Sequence, residues 1–212
     1  MIRQVLWDWN GTLLNDLQYA IDVRNRVFPA FGLPGLESVA DYHAQFTFPV
    51  RTYYERAGVT DETFEAVAHA WMDEYVRGFD AVRLHGDARS ALERLAHGKI
   101  RQAVLSASKQ DMLAEQIARF GIAPYFAVLL GLGDIYAGSK QEIARRYLQG
   151  CGISPQETCL IGDTLHDAEV AQAVGAGCVL VARGHQSRQT LLEAGVPVMQ
   201  SLEQAVDWIL NA

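Results

Sequence analysis

Long apolar runs are missing from this sequence of 212 residues. The densest run, Phe126 to Leu132, has the length of a strand, whereas a helix that spans a bilayer needs roughly 20 apolar residues. The first residues, MIRQVLWDW, carry one basic residue and no long apolar stretch, so we expect no secretory signal. These absences predict a cytoplasmic protein with no membrane partner.

Cysteine and lysine are scarce. The three cysteines, Cys151, Cys159 and Cys178, are odd in number and form no Cys-x-x-Cys pair, which argues against a disulfide framework or a cysteine metal site. Cys159 and Cys178 lie inside apolar runs and are predicted to be small buried thiols. The three lysines, at positions 99, 109 and 140, leave few candidates for a reaction that needs a lysine.

Positive charge is limited as a whole, with 18 Lys and Arg residues against 25 Asp and Glu residues and a net charge of −7. A protein that binds the nucleic-acid backbone needs a basic surface, so we expect no nucleic-acid partner. Half of the residues (50%) are hydrophobic, which is typical of a globular chain. We expect a monomer or a homodimer.

Short apolar runs alternate with helical patterns through most of the chain. Because most of the runs are apolar throughout, we expect strands that are buried on both faces. Their alternation with helices predicts an α/β fold with a parallel sheet. The runs cover residues 5–7, 102–105, 127–132, 159–161, 178–181 and 196–199.

Residues 16–82 interrupt this alternation with a helical segment that has no convincing strand. An apolar stripe at helical spacing covers residues 64–76, and Thr60 is placed to cap that helix. The completeness of the stripe favours the internal core of a small domain over a surface for a partner. We therefore predict an all-helical cap at residues 16–82, inserted into a core of residues 1–15 and 83–212. Such an insertion can form a lid.

An aspartate ends the first apolar run, and in a doubly wound sheet ligands bind beyond the carboxyl ends of the strands. Asp8 is followed by Trp9-Asn10-Gly11-Thr12, a turn whose backbone N–H groups can face an anion. A carboxylate at a strand end is suited to nucleophilic attack. The alternative is that Asp8 caps the turn.

Two further segments supply groups suited to phosphate. Ser106 follows the second apolar run, where its hydroxyl can hold a phosphoryl oxygen or act as an ordinary helix cap. Lys140, after Gly138-Ser139, begins a predicted helix. Positive charge there opposes the helix dipole, so an anionic ligand would explain this lysine, and a solvated surface position is the alternative.

Two acids, Asp163 and Asp167, follow the fourth apolar run. In a site that also holds Asp8 they would repel one another unless a divalent cation is present. Carboxylate oxygens beside a phosphate suit Mg²⁺. The sequence therefore predicts a Mg²⁺ site that contains these three aspartates.

Taken in this order, the four motifs resemble those of the haloacid dehalogenase superfamily, in the subgroup whose helical cap follows the first strand and which includes phosphoglycolate phosphatase-like hydrolases. The resemblance covers essentially the whole chain. It implies a Rossmann-like core and a Mg²⁺-dependent phosphomonoester hydrolase that acts on a small phosphorylated metabolite through an aspartyl-phosphate. The motifs are Asp8-Trp9-Asn10-Gly11-Thr12, Leu105-Ser106-Ala107-Ser108, Gly138-Ser139-Lys140 and Leu160 to Asp167.

The resemblance implies a role for each matched residue. Asp8 matches the nucleophile, Ser106 the hydroxyl that binds the transferring phosphoryl group, and Lys140 the lysine that neutralises charge. The implied ligands of Mg²⁺ are the side chains of Asp8 and Asp163 and the backbone carbonyl of Asn10. Asp167 is implied either as a further ligand or as the residue that holds metal-bound water.

Substrate binding is assigned to three residues. Gly11 and Thr12 would donate backbone N–H groups to the phosphate. Arg51, which follows Pro49 in the cap, would reach an anionic group of the substrate. The alternative for Arg51 is a position on the surface.

Asn10 departs from the family pattern, in which a second aspartate at this position acts as general acid and then base. An amide delivers no proton at neutral pH, and general acid–base help is worth roughly 10²–10⁴-fold in rate. Three explanations stay open: His166 or His43 supplies the proton, the substrate has a good leaving group, or Asn10 is an engineered change. Asn10 also motivates two alternative functions, a phosphotransferase or mutase, and a weakly catalytic binding or regulatory protein.

Overall fold

The computed structural model describes residues 1–133 and 139–212, so Gly138 of the third motif lies outside the described residues. The strands are β1 (Gln4–Trp7), β2 (Leu14–Asn15), β3 (Arg83–Leu84), β4 (Arg101–Lys109), β5 (Val128–Leu132), β6 (Thr158–Gly162), β7 (Gly177–Val181) and β8 (Val198–Met199). Within the described residues, six of them form a parallel sheet in the order β5-β4-β1-β6-β7-β8.

Helices cover both faces of this sheet. Val5 and Trp7 of β1 point into one apolar cluster and Leu6 points into the other, and β1 is buried over its whole length. This confirms the predicted α/β fold with a parallel sheet. The helices are α1 (Leu17–Val27), α2 (Val39–Gln45), α3 (Val50–Arg56), α4 (Asp61–Arg77), α5 (Ala88–His97), α6 (Gln110–Arg119), α7 (Lys140–Gly150), α8 (Leu165–Val174), α9 (Arg188–Leu191) and α10 (Leu202–Asn211).

All six predicted strands are present, but the second is longer than predicted. β4 continues to Lys109, and its pairing register with β5 shifts between Leu105 and Lys109. Ser106 therefore lies within an irregular strand end and not after the strand. Its Oγ accepts a hydrogen bond from the N–H of Ser108 at 3.0 Å, which diverts that N–H from the strand ladder.

Residues 16–82 are helical, from α1 to α4, with short 3₁₀ turns between them. β2 and β3 pair antiparallel where this segment leaves and rejoins the sheet, with Asn15 opposite Arg83. The sequence analysis did not find this ribbon, because a strand of two residues has no periodic pattern. We call residues 16–82 the cap and the remainder the core.

The apolar stripe of α4 belongs to a core over most of its length, where Phe64, Ala68 and Trp71 pack against the larger buried cluster. Val67 and Tyr75 are buried, but Met72 is 40% exposed and Val76 is 55% exposed. The helix begins after Thr60, as predicted. α1 packs along one side of α4, and much of the stripe lines a cavity that faces the core. The stripe is therefore broad because one part of it packs against α1 and another part lines the cavity.

The three cysteines are free, and Cys159 and Cys178 are buried as predicted. Burial raises the pKa of the Cys159 thiol to about 12, so it is not a reactive thiolate at neutral pH. In the part of the chain that the structure describes, no helix combines the length and the apolar surface that crossing a membrane requires.

Candidate active site

Four charged side chains meet beyond the carboxyl end of β1, at the centre of the sheet. Asp8 follows β1 directly, and Asp163 follows β6, the neighbour of β1. Asp167 lies in the first turn of α8, and Lys140 begins α7. One carboxylate oxygen from each of the three aspartates lies within 4.8 Å of the other two. The parallel sheet thus brings three of the four motifs to one buried point.

The ammonium group of Lys140 is buried between two carboxylates. Its Nζ donates to Asp8 Oδ1 and to Asp167 Oδ1, at 2.5 Å in each case. Burial alone would lower the pKa of Lys140, but the charges of Asp167 and Asp8 raise it above its ordinary value. Burial would raise the pKa of Asp167, but Lys140 lowers it. Two carboxylate partners account for a lysine at a helix start, where the helix dipole disfavours it.

Asp163 is held by groups of the core. Thr12 Oγ1 donates to its Oδ1 at 3.1 Å, and the backbone N–H of His185 donates to its Oδ2 at 2.5 Å. Burial raises the pKa of Asp163 well above its ordinary range, and the charges of Asp8 and Asp167 act in the same direction. Burial also raises the pKa of Asp8. Carboxylates that are costly to ionise in this way are stabilised as anions by a divalent cation.

The donor set fits a divalent metal ion. The clustered donors are all carboxylate oxygens, which hard cations prefer. Two glycines leave room beside Asp163, since a Cβ on either Gly11 or Gly184 would collide with its carboxylate. Gly11 also has φ of +74°, a conformation that favours glycine. The absence of a side chain at these two positions therefore lets the backbone pack closely against the carboxylate that the sequence predicts to bind metal.

Each polar atom of the Asn10 side chain has a partner. Its Nδ2 donates to Asp16 Oδ2 at 2.8 Å and to Tyr75 Oη at 3.1 Å, and Ser108 Oγ donates to its Oδ1 at 2.9 Å. Burial would raise the pKa of Asp16, but His185 and these hydrogen bonds lower it. An anionic Asp16 is stabilised by a donor at position 10, which an amide supplies and an ionised carboxylate does not. The surroundings of Asn10 thus select asparagine, which argues against the explanation of an engineered change.

Two residues that the sequence analysis did not select, Asp16 and His185, complete the site. His185 Nε2 lies 3.3 Å from Asp16 Oδ1, and its Nδ1 lies 2.9 Å from Tyr42 Oη. Burial would lower the pKa of His185, but nearby carboxylates, Asp16 foremost, raise it to about 9. Asp16 and Tyr42 belong to the cap and His185 to the core, so these contacts join the two.

A signal for His185 was present in the sequence. Gly184-His185 follows the predicted strand at residues 178–181, and side chains that follow parallel strands meet at one edge of the sheet. Asp16 gave no such signal, because it follows a ribbon of two-residue strands.

The structure places three other selected side chains in different surroundings. Ser106 is buried and lines the cavity. His166 also lines it, with its ring stacked on Phe48 of the cap at 4.8 Å. His43 Nε2 lies 3.0 Å from the carbonyl oxygen of Gly184, at a second contact between cap and core. Of the two histidines considered as acid–base groups, only His166 is among the residues that line the cavity.

Arg51 is not brought to the site. It lies on α3 with an ion pair to Asp61, a second to Glu55 at 3.4 Å, and its guanidinium over the ring of Phe64 at 4.6 Å. Among the described residues it does not line the cavity. The role in substrate binding stays a prediction that this placement does not favour.

A cavity of about 670 Å³ lies over the carboxylates, between core and cap. Asp8, Ser106 and Lys140 are among the core residues at its floor, and α4 contributes to its walls. This volume is in the range of small-molecule sites. The arrangement can hold a small ligand with an anionic group against the charged floor.

Comparison with known families and proteins agrees with this architecture. A family model described as haloacid dehalogenase-like hydrolase matches residues 5–181. The chain is 26% identical over 195 residues to a phosphoglycolate phosphatase of Pseudomonas putida, covering 86% of this chain and 70% of that protein. It is 23% identical over 210 residues to a phosphoglycolate phosphatase of Synechococcus elongatus, covering 99% of this chain and 93% of that protein.

Solved structures with the same fold include two that span the whole chain. A haloacid dehalogenase-like family hydrolase from Streptococcus pneumoniae superposes with a TM-score of 0.86 at 16% identity, covering 98% of each chain. A predicted phosphatase from Clostridium acetobutylicum superposes with a TM-score of 0.87 at 19% identity, covering 100% of each chain. At these identities the superpositions show a shared fold.

Proposed function

The chain belongs to the haloacid dehalogenase-like hydrolase family, and on that premise we propose that it is a Mg²⁺-dependent phosphatase. Its substrate is a phosphate monoester of a small metabolite, and Asp8 forms an aspartyl-phosphate. The observation that carries this proposal is the buried cluster of Asp8, Asp163, Asp167 and Lys140 at the floor of the cavity between core and cap.

Asp8 is the nucleophile of the first step. Because Lys140 holds Oδ1 of Asp8, we assign the attack to Oδ2. A bond forms between Oδ2 and phosphorus as the bond from phosphorus to the ester oxygen breaks, and the alcohol leaves with the bonding electron pair. Water then attacks the phosphorus of the aspartyl-phosphate, which releases inorganic phosphate and restores the carboxylate.

The phosphoryl group is held by groups that are already in place. Ser106 Oγ accepts from the N–H of Ser108, so its own proton remains available to a phosphoryl oxygen. The backbone N–H groups of Gly11 and Thr12 are further candidates, although in the free protein Gly11 N donates to Asp16 and Thr12 N donates to the carbonyl oxygen of Trp9 at 3.3 Å. Mg²⁺, held by Asp8, Asp163, Asp167 and the carbonyl of Asn10, would offset charge on the phosphoryl oxygens.

Asn10 sets the limit on this chemistry. Its amide is committed to Asp16, Tyr75 and Ser108 and transfers no proton. The leaving alcohol therefore departs with little proton assistance from this position. Esters whose alcohol is a good leaving group should react faster than esters of ordinary alcohols.

The test is the loss of phosphate release in Asp8→Asn. In saturating Mg²⁺, this variant should lose at least about 10³-fold in kcat, because the attacking oxygen is gone. Asp73→Asn, on the exposed side of α4, is the matched control and should retain the rate. Chelation of divalent ions should stop the wild-type enzyme. Wild-type turnover by Asp8→Asn would remove Asp8 from its role.

A second candidate function is phosphoryl transfer to another alcohol, as in a phosphotransferase or mutase. The fully bonded amide of Asn10 favours it, because a site without a base at this position activates water poorly and lengthens the life of the aspartyl-phosphate. Incubation with a phosphate donor and an excess of acceptor alcohol should then give a phosphorylated acceptor. Release of inorganic phosphate alone would leave hydrolysis as the function.

The third possibility is a binding or regulatory protein with weak catalysis. The value of kcat/KM distinguishes it from an efficient enzyme. An enzyme with an efficient substrate should reach a kcat/KM of about 10⁴ M⁻¹s⁻¹ or higher in a screen of phosphate esters. A screen in which every ester stays far below that value would favour the regulatory alternative.

A further inference from the structure

The walls of the cavity are apolar where the cap forms them. The cap residues that line it include the rings of Phe48, Trp71 and Tyr75, and the ring of Trp71 is stacked on that of Tyr75 with centroids 4.9 Å apart. Met72 and Val76, 40% and 55% exposed, also line it. With the phosphoryl group on the carboxylate floor, the alcohol part of the ester must lie against these side chains.

Positive charge is absent from the cap side of the cavity. Within the cap, all of which the structure describes, no lysine or arginine lines the cavity. Arginines of the cap have other partners: Arg24 is buried with Tyr53 and Gln45, and Arg26 pairs with Glu74. A carboxylate on the alcohol part of the ester would find no cation on the cap.

The core side of the cavity adds negative charge. Asp111 and Glu115, exposed residues of α6, both line it, and so does Lys109. The two carboxylates outnumber this lysine, and His185, which also lines the cavity, is already paired with Asp16. These charges disfavour a second anionic group on the substrate. A small acid ester such as phosphoglycolate therefore matches the floor of the cavity but not its walls.

The chemistry at Asn10 points in the same direction by an independent route. An ester of an ordinary alcohol needs its leaving oxygen to be protonated, whereas a phenol, with a pKa of about 10, leaves readily as an anion. Since the amide of Asn10 supplies no proton, a phenolic leaving group is the one that this site handles without loss. Shape and proton chemistry thus select the same substrate.

We infer that the substrate is an aryl phosphate, the phosphate monoester of a small phenol, with its aromatic ring against Trp71, Tyr75 and Phe48. This inference rests on the proposed phosphatase function and names its substrate class. Contacts between aromatic rings in such a pocket add to the gain from burying apolar area. The ring fits within about 670 Å³ together with the phosphate.

The experiment compares four esters in Mg²⁺: phenyl, benzyl and ethyl phosphate, and phosphoglycolate. Phenyl and benzyl phosphate share a ring but differ in leaving group, while benzyl and ethyl phosphate share an alkyl-type leaving group but differ in the ring. We expect KM to be at least about 10-fold lower for the two ring esters than for ethyl phosphate. Phenyl phosphate should exceed phosphoglycolate by about 10² or more in kcat/KM.

A binding measurement keeps this test independent of turnover. Benzylphosphonate, which mimics phenyl phosphate without a cleavable ester bond, should bind at least about 10-fold more tightly than phosphonopropionate, which mimics phosphoglycolate. Calorimetry in Mg²⁺ gives both affinities. Tighter binding of phosphonopropionate would overturn the inference.

The matched variant is Val76→Lys, which places a cation at the mouth of the cavity on a residue that is 55% exposed. It should raise the preference for phosphoglycolate over phenyl phosphate by about 5- to 10-fold, and salt should weaken this gain. Asp73→Lys adds the same charge on α4 at an exposed residue that does not line the cavity, so its selectivity should stay that of the wild type.

The outcomes distinguish the two claims. The inference would be overturned if the wild-type protein hydrolyses esters with Mg²⁺ but shows no preference for ring esters, or if it prefers phosphoglycolate. Either result would leave the proposed phosphatase function standing. Failure to hydrolyse any of the four esters, with no binding of either phosphonate, would overturn the proposed function and the inference with it.

Discussion

The floor and the walls of the cavity follow opposite physical rules. On the floor, Lys140 is buried between Asp8 and Asp167, and hydrogen bonds hold Asp163. On the cap walls, apolar side chains such as Met72 and Val76 stay partly exposed. A buried charge must be paired, so the floor has one workable arrangement. An apolar wall tolerates many arrangements, so the charged groups of the floor are constrained more tightly than the side chains of the walls.

The largest effect is expected when the buried positive charge of the floor is removed. Lys140→Met removes the cation that Asp8 and Asp167 share, and the two carboxylates would then be buried without a positive charge beside them. We expect kcat to fall by at least about 10³-fold, on the order of 4 kcal/mol in activation free energy. Lys99→Met, an exposed lysine distant from the site in the chain, should keep the wild-type rate. A modest loss in Lys140→Met would show that the floor does not depend on this pairing.

The next effect concerns the contact between His185 of the core and Asp16 of the cap, and its contribution to the stability of the fold. The pKa of His185 is raised from 6.5 to about 9, so its ionic contacts stabilise the fold fully below pH 6.5 and are lost as pH rises through about 9. In the metal-free protein this contribution is about 3 kcal/mol at most. Urea unfolding at several pH values should show the decline in the wild type and a flatter profile in His185→Gln. Parallel profiles would mean that His185 does not couple to Asp16.

A smaller effect sharpens the role of Asn10. Asn10→Asp places a carboxylate where Nδ2 now donates to Asp16 at 2.8 Å, so the two acids must share a proton. The single variant should lose about 1–3 kcal/mol in free energy of unfolding at neutral pH. The exchange Asn10→Asp with Asp16→Asn restores one donor and one acceptor. It should recover stability and raise turnover of ethyl phosphate above that of the single variant. If the single and the double variant did not differ, Asp16 would not determine the effect of the residue at position 10.

The smallest expected effect tests whether Arg51 lies outside the substrate cavity, as the structure places it. Arg51 pairs with Asp61 and Glu55 on the outer side of the cap, and exposed pairs contribute about 0–1 kcal/mol. Arg51→Ala should therefore change KM by less than about threefold for every ester. A rise of tenfold or more, confined to anionic substrates, would restore the role in substrate binding that the sequence suggested.

The sequence predicted the sheet well and the cap only in outline. The strand runs at 5–7 and 159–161 were found because strands buried on both faces are apolar throughout. The stripe at 64–76 correctly predicted the helix, but it did not predict that part of its apolar face is exposed in a cavity. Periodicity shows which face of a helix is apolar, and it does not show whether that face meets another helix or an open cavity.

The candidate site divides in the same way. Asp8 and Asp163 were selected because each follows a strand of a parallel sheet, and the structure brings them together with Lys140. Their catalytic and metal-binding roles stay predictions. Asp16 was not selected, because its significance lies in contacts with Asn10 and His185 that only folding creates.

By itself, then, the sequence determined the strands, the insertion and the acids and lysine that the sheet gathers, since these depend on local pattern and on the rule that parallel strands end at one edge. The tertiary structure decided what surrounds them. It placed an anion beside Asn10, turned the apolar side chains of α4 toward a cavity and left Arg51 outside it. Those outcomes depend on contacts between segments far apart in the chain, and neither composition nor spacing encodes such contacts.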